Sequence, residues 1–169
     1  TDRTHLKPLC KNFLSKDHVA WMNDKKVNRF LDSGGDYNID KLKEYLTEVE
    51  ENPKFFWAIV LKQSKKHIGN IKIDPINFKH FFGEYGLMIG DTNSWKKGYG
   101  KEVSEVVINF CFETLKLRKI NLGVLKLNKA AINLYNKLGF LIEGHHRSHF
   151  SFEGDYVDSY RMALFNPSL

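Results

Sequence analysis

Two glycines separated by one residue, in a segment rich in lysine, are the first residues of the sequence that suggest a chemical role. Gly98 and Gly100 follow an apolar run and precede an amphipathic segment, which predicts a loop that opens a helix. Glycine lets a ligand approach the backbone closely, and the N–H groups at a helix N-terminus attract anions. The segment is therefore predicted to bind a pyrophosphate, through Gly98 and Gly100, which flank Tyr99, and the charges of Lys96, Lys97 and Lys101.

The two glycines alone also fit a plain turn with solvated lysines. No Ser or Thr follows the pair Gly100-Lys101, so the segment is not a nucleotide-hydrolase P-loop. A third glycine and an acidic residue at the end of the next strand are missing from the sequence, which excludes a dinucleotide-binding fingerprint. The anion-binding interpretation therefore needs support from another part of the chain.

A second group of residues lies on one face of a short predicted helix. Asn128, Ala131 and Tyr135 are spaced i, i+3 and i+7. Asn128 can cap the helix or hydrogen-bond a ligand amide, and Ala131 leaves room for a ligand against the helix. The phenol of Tyr135 can protonate a leaving group. The alternatives are a simple helix cap for Asn128 and a core aromatic for Tyr135.

The patterns between these groups predict the elements that position them. The order is one strand, two helices, three strands, a helix, a strand, a short helix and two strands. This order predicts one domain, residues 1–169, built on a single mixed α/β sheet. The predicted strands are Thr4–Leu9, Phe55–Leu61, His67–Ile73, Phe81–Ile89, Ile120–Leu127, Leu141–Phe152 and Tyr156–Phe165. The predicted helices are one capped by Ser15, one capped by Asn38 or Asp40 and stopped at Asn52–Pro53, Gly98–Leu115, and Asn128–Leu138, which Gly139 follows. A loop is predicted at Asp32–Asp36.

Composition narrows the classes of partner. The net charge of +6 favours anionic partners, but the lysines are scattered and no nucleic-acid motif is visible, so nucleic acid is not expected. Cys10 and Cys111 provide neither a metal-ligand spacing nor a disulfide framework, so we expect no metal and a cytoplasmic location. No apolar run approaches about 18 residues, which argues against a membrane partner.

Together the two groups resemble the GNAT N-acetyltransferase superfamily, and within it the RimJ/RimL-like branch. The family signature Asn-x-x-Ala-x-x-x-Tyr-x-x-x-Gly-Phe is matched in full by Asn128, Ala131, Tyr135, Gly139 and Phe140. The family's pyrophosphate motif is Gln or Arg, two residues, Gly, one residue, then Gly or Ala. It is matched at Gly98 and Gly100, with Trp95 in place of the Gln or Arg, as is often seen in this branch.

The resemblance implies a fold and a co-substrate. The fold is a single mixed, mostly antiparallel sheet with a splayed central parallel strand pair, flanked by helices. The co-substrate is acetyl-CoA, whose pantetheine arm would pair with the backbone of Leu87, Met88 and Ile89, while the N–H groups of residues 97–101 cradle its pyrophosphate.

The resemblance also implies direct attack of an amine on acetyl-CoA in a ternary complex. Tyr135 is then the proton donor to the leaving thiolate, and a backbone N–H of Met88 or Ile89 stabilises the oxyanion. Glu84, which precedes the splayed strand, is the first candidate for the general base. His146 and Asp74 are secondary candidates.

The acceptor is expected to be a small-molecule amine such as an amino sugar or an amino acid. Trp21, Phe30, Tyr37, Phe78 and residues 145–147 are predicted to border its pocket. The basic surplus favours an acceptor with a carboxylate or phosphate over a polycation such as spermidine. Two alternatives are a protein N-terminal acetyltransferase and a non-catalytic acyl-CoA-binding sensor. The resemblance further allows a homodimer, since relatives are often dimers.

Overall fold

The computed structural model describes residues 1–31, 34–52 and 54–168. The predicted loop positions Asp32 and Ser33, and the predicted helix stop at Pro53, lie outside these ranges. The elements are β1 (Thr4–Pro8), α1 (Lys16–Asn23), α2 (Lys25–Asn28), α3 (Ile39–Glu51), β2 (Phe55–Leu61), β3 (His67–Asn77), β4 (Phe82–Ile89), α4 (Tyr99–Glu113), β5 (Lys119–Leu125), α5 (Lys129–Lys137), β6 (Leu141–Phe152) and β7 (Asp155–Phe165). Single-turn 3₁₀ helices occur at Lys11–Phe13 and Thr92–Ser94.

The seven strands form one mixed sheet in the order β1-β2-β3-β4-β5-β7-β6. The pairs β1–β2, β2–β3, β5–β7 and β6–β7 run antiparallel, and β4 and β5 run parallel. The mixed, mostly antiparallel sheet with one parallel pair is therefore confirmed. The parallel ladder pairs Phe82–Glu84 with Lys119–Asn121. The splaying of the two strands beyond these pairs stays a prediction.

The chain divides into two compact units. The first unit comprises Thr1–Asp74 and Gly86–Val103, and the second comprises Pro75–Tyr85 and Ser104–Leu169. The sequence predicts one domain over residues 1–169, and this stays a prediction. No helix within the described residues is both long enough and apolar enough to span a bilayer.

The core of the first unit lies between α3 and the strands β1 and β2. Leu42, Leu46 and Val49 are buried on one face of α3 because their spacing of three and four residues follows the helical period. They form one cluster with Leu9, Phe56, Ala58 and Val60. The predicted helix caps are confirmed, since Ser15 accepts a hydrogen bond from the backbone of His18, and Asn38 accepts one from that of Lys41.

The prediction of two helices before β2 was wrong, because the described residues of this segment form three α-helices. Asp24 leaves the helical region with φ −74° and ψ 115°, which ends α1. Its carboxylate then accepts a hydrogen bond from the backbone N–H of Lys26 and caps α2. Asp24 therefore separates the predicted helix that Ser15 caps from a second, four-residue helix that sequence reasoning did not predict.

The second unit contains β5, β6, β7, α5 and most of α4, with Ile120, Leu122, Phe140 and Met162 buried in it. Helix α5 ends in a Schellman motif, in which the N–H of Phe140 donates to the carbonyl of Tyr135 and that of Gly139 to the carbonyl of Asn136. Gly139 has φ +90° there, which a residue with a Cβ adopts only with strain. The predicted glycine C-cap is confirmed.

Candidate active site

The predicted pyrophosphate loop lies in the first unit and leads directly into α4. Gly98 has φ +83° and Lys96 has φ +60°, so the backbone turns sharply before the helix begins at Tyr99. The indole N–H of Trp95 donates a 2.7 Å hydrogen bond to the carbonyl oxygen of Ile89. This bond fixes the start of the loop against the end of β4. The loop thus presents the N-terminus of a 15-residue helix, as an anion site requires.

Arg3 anchors this loop, and sequence reasoning did not identify it. Its guanidinium donates from Nη1 to the carbonyl oxygen of Lys97 at 2.9 Å and from Nε to Oε2 of Glu102 at 2.6 Å. The guanidinium carbon lies 4.5 Å from the centroid of the Tyr99 ring. The residue immediately before β1 therefore holds the loop at Lys97 and the first turn of α4 at Tyr99 and Glu102. No local pattern signals this, because 94 residues separate Arg3 from Lys97.

Tyr135 is buried in the second unit, packed between two other aromatic rings. Its ring centroid lies 5.9 Å from that of Tyr85 and 5.8 Å from that of Phe140. Burial raises the pKa of Tyr135 to about 12, so the phenol keeps its proton at neutral pH. The hydroxyl forms no hydrogen bond with any residue in the described ranges. Its oxygen keeps some contact with solvent, since His67 Nδ1 is the fully buried side-chain polar atom without a partner in those ranges.

The signature residues Asn128 and Ala131 lie at the start of α5. Oδ1 of Asn128 accepts a 3.2 Å hydrogen bond from the backbone N–H of Ala131, so the predicted helix-capping role of Asn128 is confirmed. The cap uses only the carbonyl side of the amide. The NH₂ group provides two further donors, and its contact with a ligand stays a prediction.

Glu84 lies at the last pair of the parallel ladder, opposite Asn121. Oε1 of Glu84 accepts a 2.6 Å hydrogen bond from Nη2 of Arg161 on β7. This charge-assisted bond orients the carboxylate, and sequence reasoning did not foresee it. The role of Glu84 as general base stays a prediction. Of the secondary candidates, Asp74 belongs to the first unit and His146 to the second.

A cavity of about 400 Å³ lies within the first unit. The middle of β4, from Gly86 to Met88, forms part of its wall, as do His18, Tyr37, Tyr45, Lys54, Lys72 and Asp74. Of the residues predicted to border an acceptor pocket, Tyr37 lines this cavity. Trp21 and Phe30 lie elsewhere in the first unit, and Phe78 and residues 145–147 belong to the second.

A chain of hydrogen bonds fixes the polar side of this cavity. Nε2 of His67 donates to Oδ1 of Asn70 at 2.8 Å, and Nδ2 of Asn70 donates to Nε2 of His18 at 3.1 Å. Nδ1 of His18 then donates to the carbonyl of Phe13 at 3.2 Å. Burial lowers the pKa of His18 to about 4 and also lowers the pKa of His67. Both rings are therefore neutral at pH 7.

Comparison with known proteins agrees with this fold. Residues 3–141 match the family described as acetyltransferase (GNAT) domain. The chain therefore belongs to the GNAT acetyltransferase family. It is an N-acetyltransferase that uses acetyl-CoA. Among the described residues, no group of three or more His, Cys, Asp or Glu side chains is placed to hold a metal ion.

Two relatives and one solved structure illustrate the range of similarity. Spermidine N(1)-acetyltransferase of Vibrio cholerae serotype O1 is 30% identical over 128 residues, which cover 75% of this chain and 73% of that protein. L-amino acid N-acetyltransferase AaaT of Escherichia coli K12 is 33% identical over 81 residues, which cover 47% of this chain and 49% of that protein.

The solved structure is that of spermidine N-acetyltransferase from Vibrio cholerae in complex with CoA and spermine. It superimposes with a TM-score of 0.86 at 24% identity, covering 98% of this chain and 97% of the other. At this identity the match establishes the fold.

Proposed function

We propose that this chain, as a single domain of residues 1–169, transfers the acetyl group of acetyl-CoA to the primary amine of a small molecule by direct attack in a ternary complex. The observation that carries the proposal is the Tyr135 phenol, which is buried, protonated and without a hydrogen-bond partner in the described residues. A proton donor of this kind is what a departing thiolate requires.

Acetyl-CoA would be held by residues that the sequence already suggests. The N–H groups of residues 97–101 and the charges of Lys96, Lys97 and Lys101 suit its pyrophosphate, and the turn at Gly98 brings the backbone close. Leu87, Met88 and Ile89 would pair with the pantetheine arm. The Ile89 carbonyl already accepts the Trp95 indole N–H, so we assign the pairing mainly to Leu87 and Met88. Asn128 and Ala131 complete the set.

Each proposed catalytic group has one task. Acetyl-CoA supplies an acetyl thioester as the electrophile. Primary amines are mostly protonated at neutral pH, so Glu84, or Asp74 at the wall of the cavity, would accept a proton from the amine. The backbone N–H of Met88 or Ile89 would stabilise negative charge on the acetyl oxygen. Tyr135 would donate its proton to the sulfur as it leaves.

The cavity supports a small acceptor. Its volume of about 400 Å³ lies in the range typical of small-molecule sites, and its wall includes part of the strand assigned to the coenzyme. The names of the two relatives suggest a polyamine or an amino acid as the acceptor class. A protein N-terminus and a sensor without turnover are the alternatives.

Three further properties belong to the proposal. The Trp95 substitution in the pyrophosphate motif supports the RimJ/RimL-like branch. Cys10 and Cys111 are free thiols, which suits the reducing cytoplasm. A homodimer is supported by the edge strand β6, where the Leu141 side chain is 67% exposed and that of Ile142 is 53% exposed.

The deciding experiment combines two measurements on the intact chain. Calorimetry with acetyl-CoA measures binding, and thiol release is followed with spermidine, amino acids, amino sugars and a short N-terminal peptide as acceptors. We expect binding together with release on at least one small amine. Faster release with the peptide would favour the N-terminal acetyltransferase, and binding without release on any amine would favour the sensor.

A further inference from the structure

The charged groups of the cavity in the first unit differ from what a polycation requires. Three residues on its wall carry a formal charge at neutral pH, namely Lys54, Lys72 and Asp74. The cavity therefore offers a single carboxylate against two ammonium groups. A polyamine with several positive charges is stabilised by carboxylates and destabilised by ammonium groups held nearby.

Lys54 is neutralised in part by a neighbour outside the cavity. Its Nζ lies 3.2 Å from Oε1 of Glu48 on α3. Lys72 has no such partner, because no carboxylate of the described residues forms an ion pair with it. Its alkyl stem lies across Gly86, where a Cβ would approach the Lys72 side chain to 3.0 Å. Its Nζ lies 5.0 Å from the centroid of the Phe56 ring.

Asp74 is the complementary group. It follows Lys72 by two residues on β3, so both side chains leave the same face of the strand. Their Cα atoms are separated by roughly 6.5 Å along an extended strand. Asp74 forms no ion pair or hydrogen bond with any described residue. One positive and one negative group, both without an ion-pair partner among the described residues, therefore line the same cavity.

The other titratable groups of the wall do not change this balance. Burial raises the pKa of Tyr45 to about 12 and lowers the pKa of His18 to about 4, so both are neutral at pH 7. The remaining phenol of the wall, Tyr37, carries no formal charge.

We propose, on the basis of the function proposed above, that the acceptor is a small molecule that carries an anionic group, a carboxylate or a phosphate, beside its primary amine. Lys72 binds the anionic group and Asp74 binds the ammonium form of the amine. A bidentate ligand of this kind satisfies two charged groups that the protein leaves unpaired. Lys72 then distinguishes such acceptors from polyamines, and it acts as a specificity-determining residue.

The test compares acceptors that differ only in the anionic group, with thiol release from acetyl-CoA as the signal. One pair is L-leucine and 3-methylbutylamine, and the other is O-phosphoethanolamine and ethanolamine, with spermidine as the polycation. A hydrogen bond to a charged group predicts that the anionic member of at least one pair has a kcat/KM roughly 10- to 100-fold higher. The pair that shows the advantage identifies the anion as carboxylate or phosphate.

Two variants assign the effect to its residue. In Lys72→Gln the ratio of kcat/KM between the anionic and the neutral acceptor should fall towards one, and Lys72→Arg should retain it. Lys43→Gln, at an exposed position of α3, is the matched control and should keep both the ratio and the rates of the unaltered chain. An advantage that persists in Lys72→Gln would overturn the assignment to Lys72.

The remaining outcomes separate this inference from the proposed function. Thiol release that is faster with spermidine than with every anionic acceptor would overturn the inference and leave the acetyltransferase function intact. Equal rates within both pairs would have the same meaning. No thiol release with any of the amines would overturn both.

Discussion

Tyr135 and Tyr85 are neighbouring buried tyrosines with different hydroxyl environments. The Tyr85 hydroxyl is 2.6 Å from Oγ of Ser104, whereas the Tyr135 hydroxyl has no partner among the described residues. Burial raises the pKa of both phenols. The Tyr85 hydroxyl is therefore occupied within the fold, whereas the Tyr135 hydroxyl is available for the role proposed for it.

The first prediction follows from this difference. Tyr135→Phe keeps the ring packing and removes the proton that the leaving thiolate needs, so kcat should fall by about 10²- to 10⁴-fold while the KM for acetyl-CoA changes little. Steady-state thiol release measures both. Tyr85→Phe is the control, and it should lower the melting temperature without such a loss of kcat. An unaltered kcat in Tyr135→Phe would remove the tyrosine from the mechanism.

Arg3 anchors the predicted pyrophosphate loop. It is bonded to the Lys97 carbonyl and to Glu102, so Arg3→Gln removes the tie between the loop and the residue that precedes β1. Losing a hydrogen bond of ordinary strength predicts a rise in the dissociation constant for acetyl-CoA of about 2- to 10-fold, with kcat little changed. Calorimetry measures the constant. Lys7→Gln, at an exposed position of β1, should bind normally, and equal binding by all three chains would contradict the anchoring role.

At the scale of elements, the residue that caps helix α5 is predicted to have two roles. Asn128 caps the helix through Oδ1, and its NH₂ group is free of that task. Serine caps a helix about as well as asparagine but has no amide. The variant Asn128→Ser therefore separates the cap from contact with the coenzyme.

We expect Asn128→Ser to unfold at the same temperature as the unaltered chain and to raise the KM for acetyl-CoA by about 2- to 10-fold, the loss of one hydrogen bond. Asn38→Ser changes the matching cap of α3 and should leave both quantities as they are. Thermal unfolding and thiol release provide the measurements. A loss of stability without a change in KM would reduce Asn128 to a cap.

At the scale of the whole molecule, His18 and His67 make stability depend on pH, because burial lowers the pKa of both rings. Burial, with a smaller contribution from His67, lowers the pKa of His18 to about 4, whereas an unfolded histidine titrates near 6.5. Between these values the unfolded chain binds the proton and the folded chain does not. The stabilisation is therefore complete above about pH 6.5 and is lost as pH falls towards about 4.

His18 alone should reduce the free energy of unfolding by on the order of 3 kcal/mol across this range. Denaturant unfolding between pH 8 and pH 5 should show the beginning of this loss. In His18→Gln the free energy of unfolding should fall less steeply with decreasing pH. His80→Gln, at an exposed position, should keep the slope of the unaltered chain. Identical slopes in all three would contradict the role of the buried imidazole.

Local features of the sequence predict most helices and strands, whereas contacts between residues far apart in the sequence could not be predicted. The strand predicted as Phe81–Ile89 is observed as Phe82–Ile89, and Gly139 closes α5 as expected, because periodicity and turn residues act over a few positions. The ion pair of Glu84 with Arg161 spans 77 residues, and no spacing in the sequence signals it. The four-residue helix α2 is a local feature that was missed, although its cap Asp24 accepts a hydrogen bond from a residue only two positions away.

The Trp95 indole lies where it could report on ligand binding at the predicted pyrophosphate loop. It is 38% exposed, and its N–H is fixed on the Ile89 carbonyl. Indole fluorescence changes with local polarity, and a charged nucleotide settling on this loop would alter it. Trp21 and Trp57, the other two tryptophans, lie outside the loop. In a chain with both replaced by phenylalanine, the fluorescence of Trp95 would therefore measure coenzyme binding without an added dye.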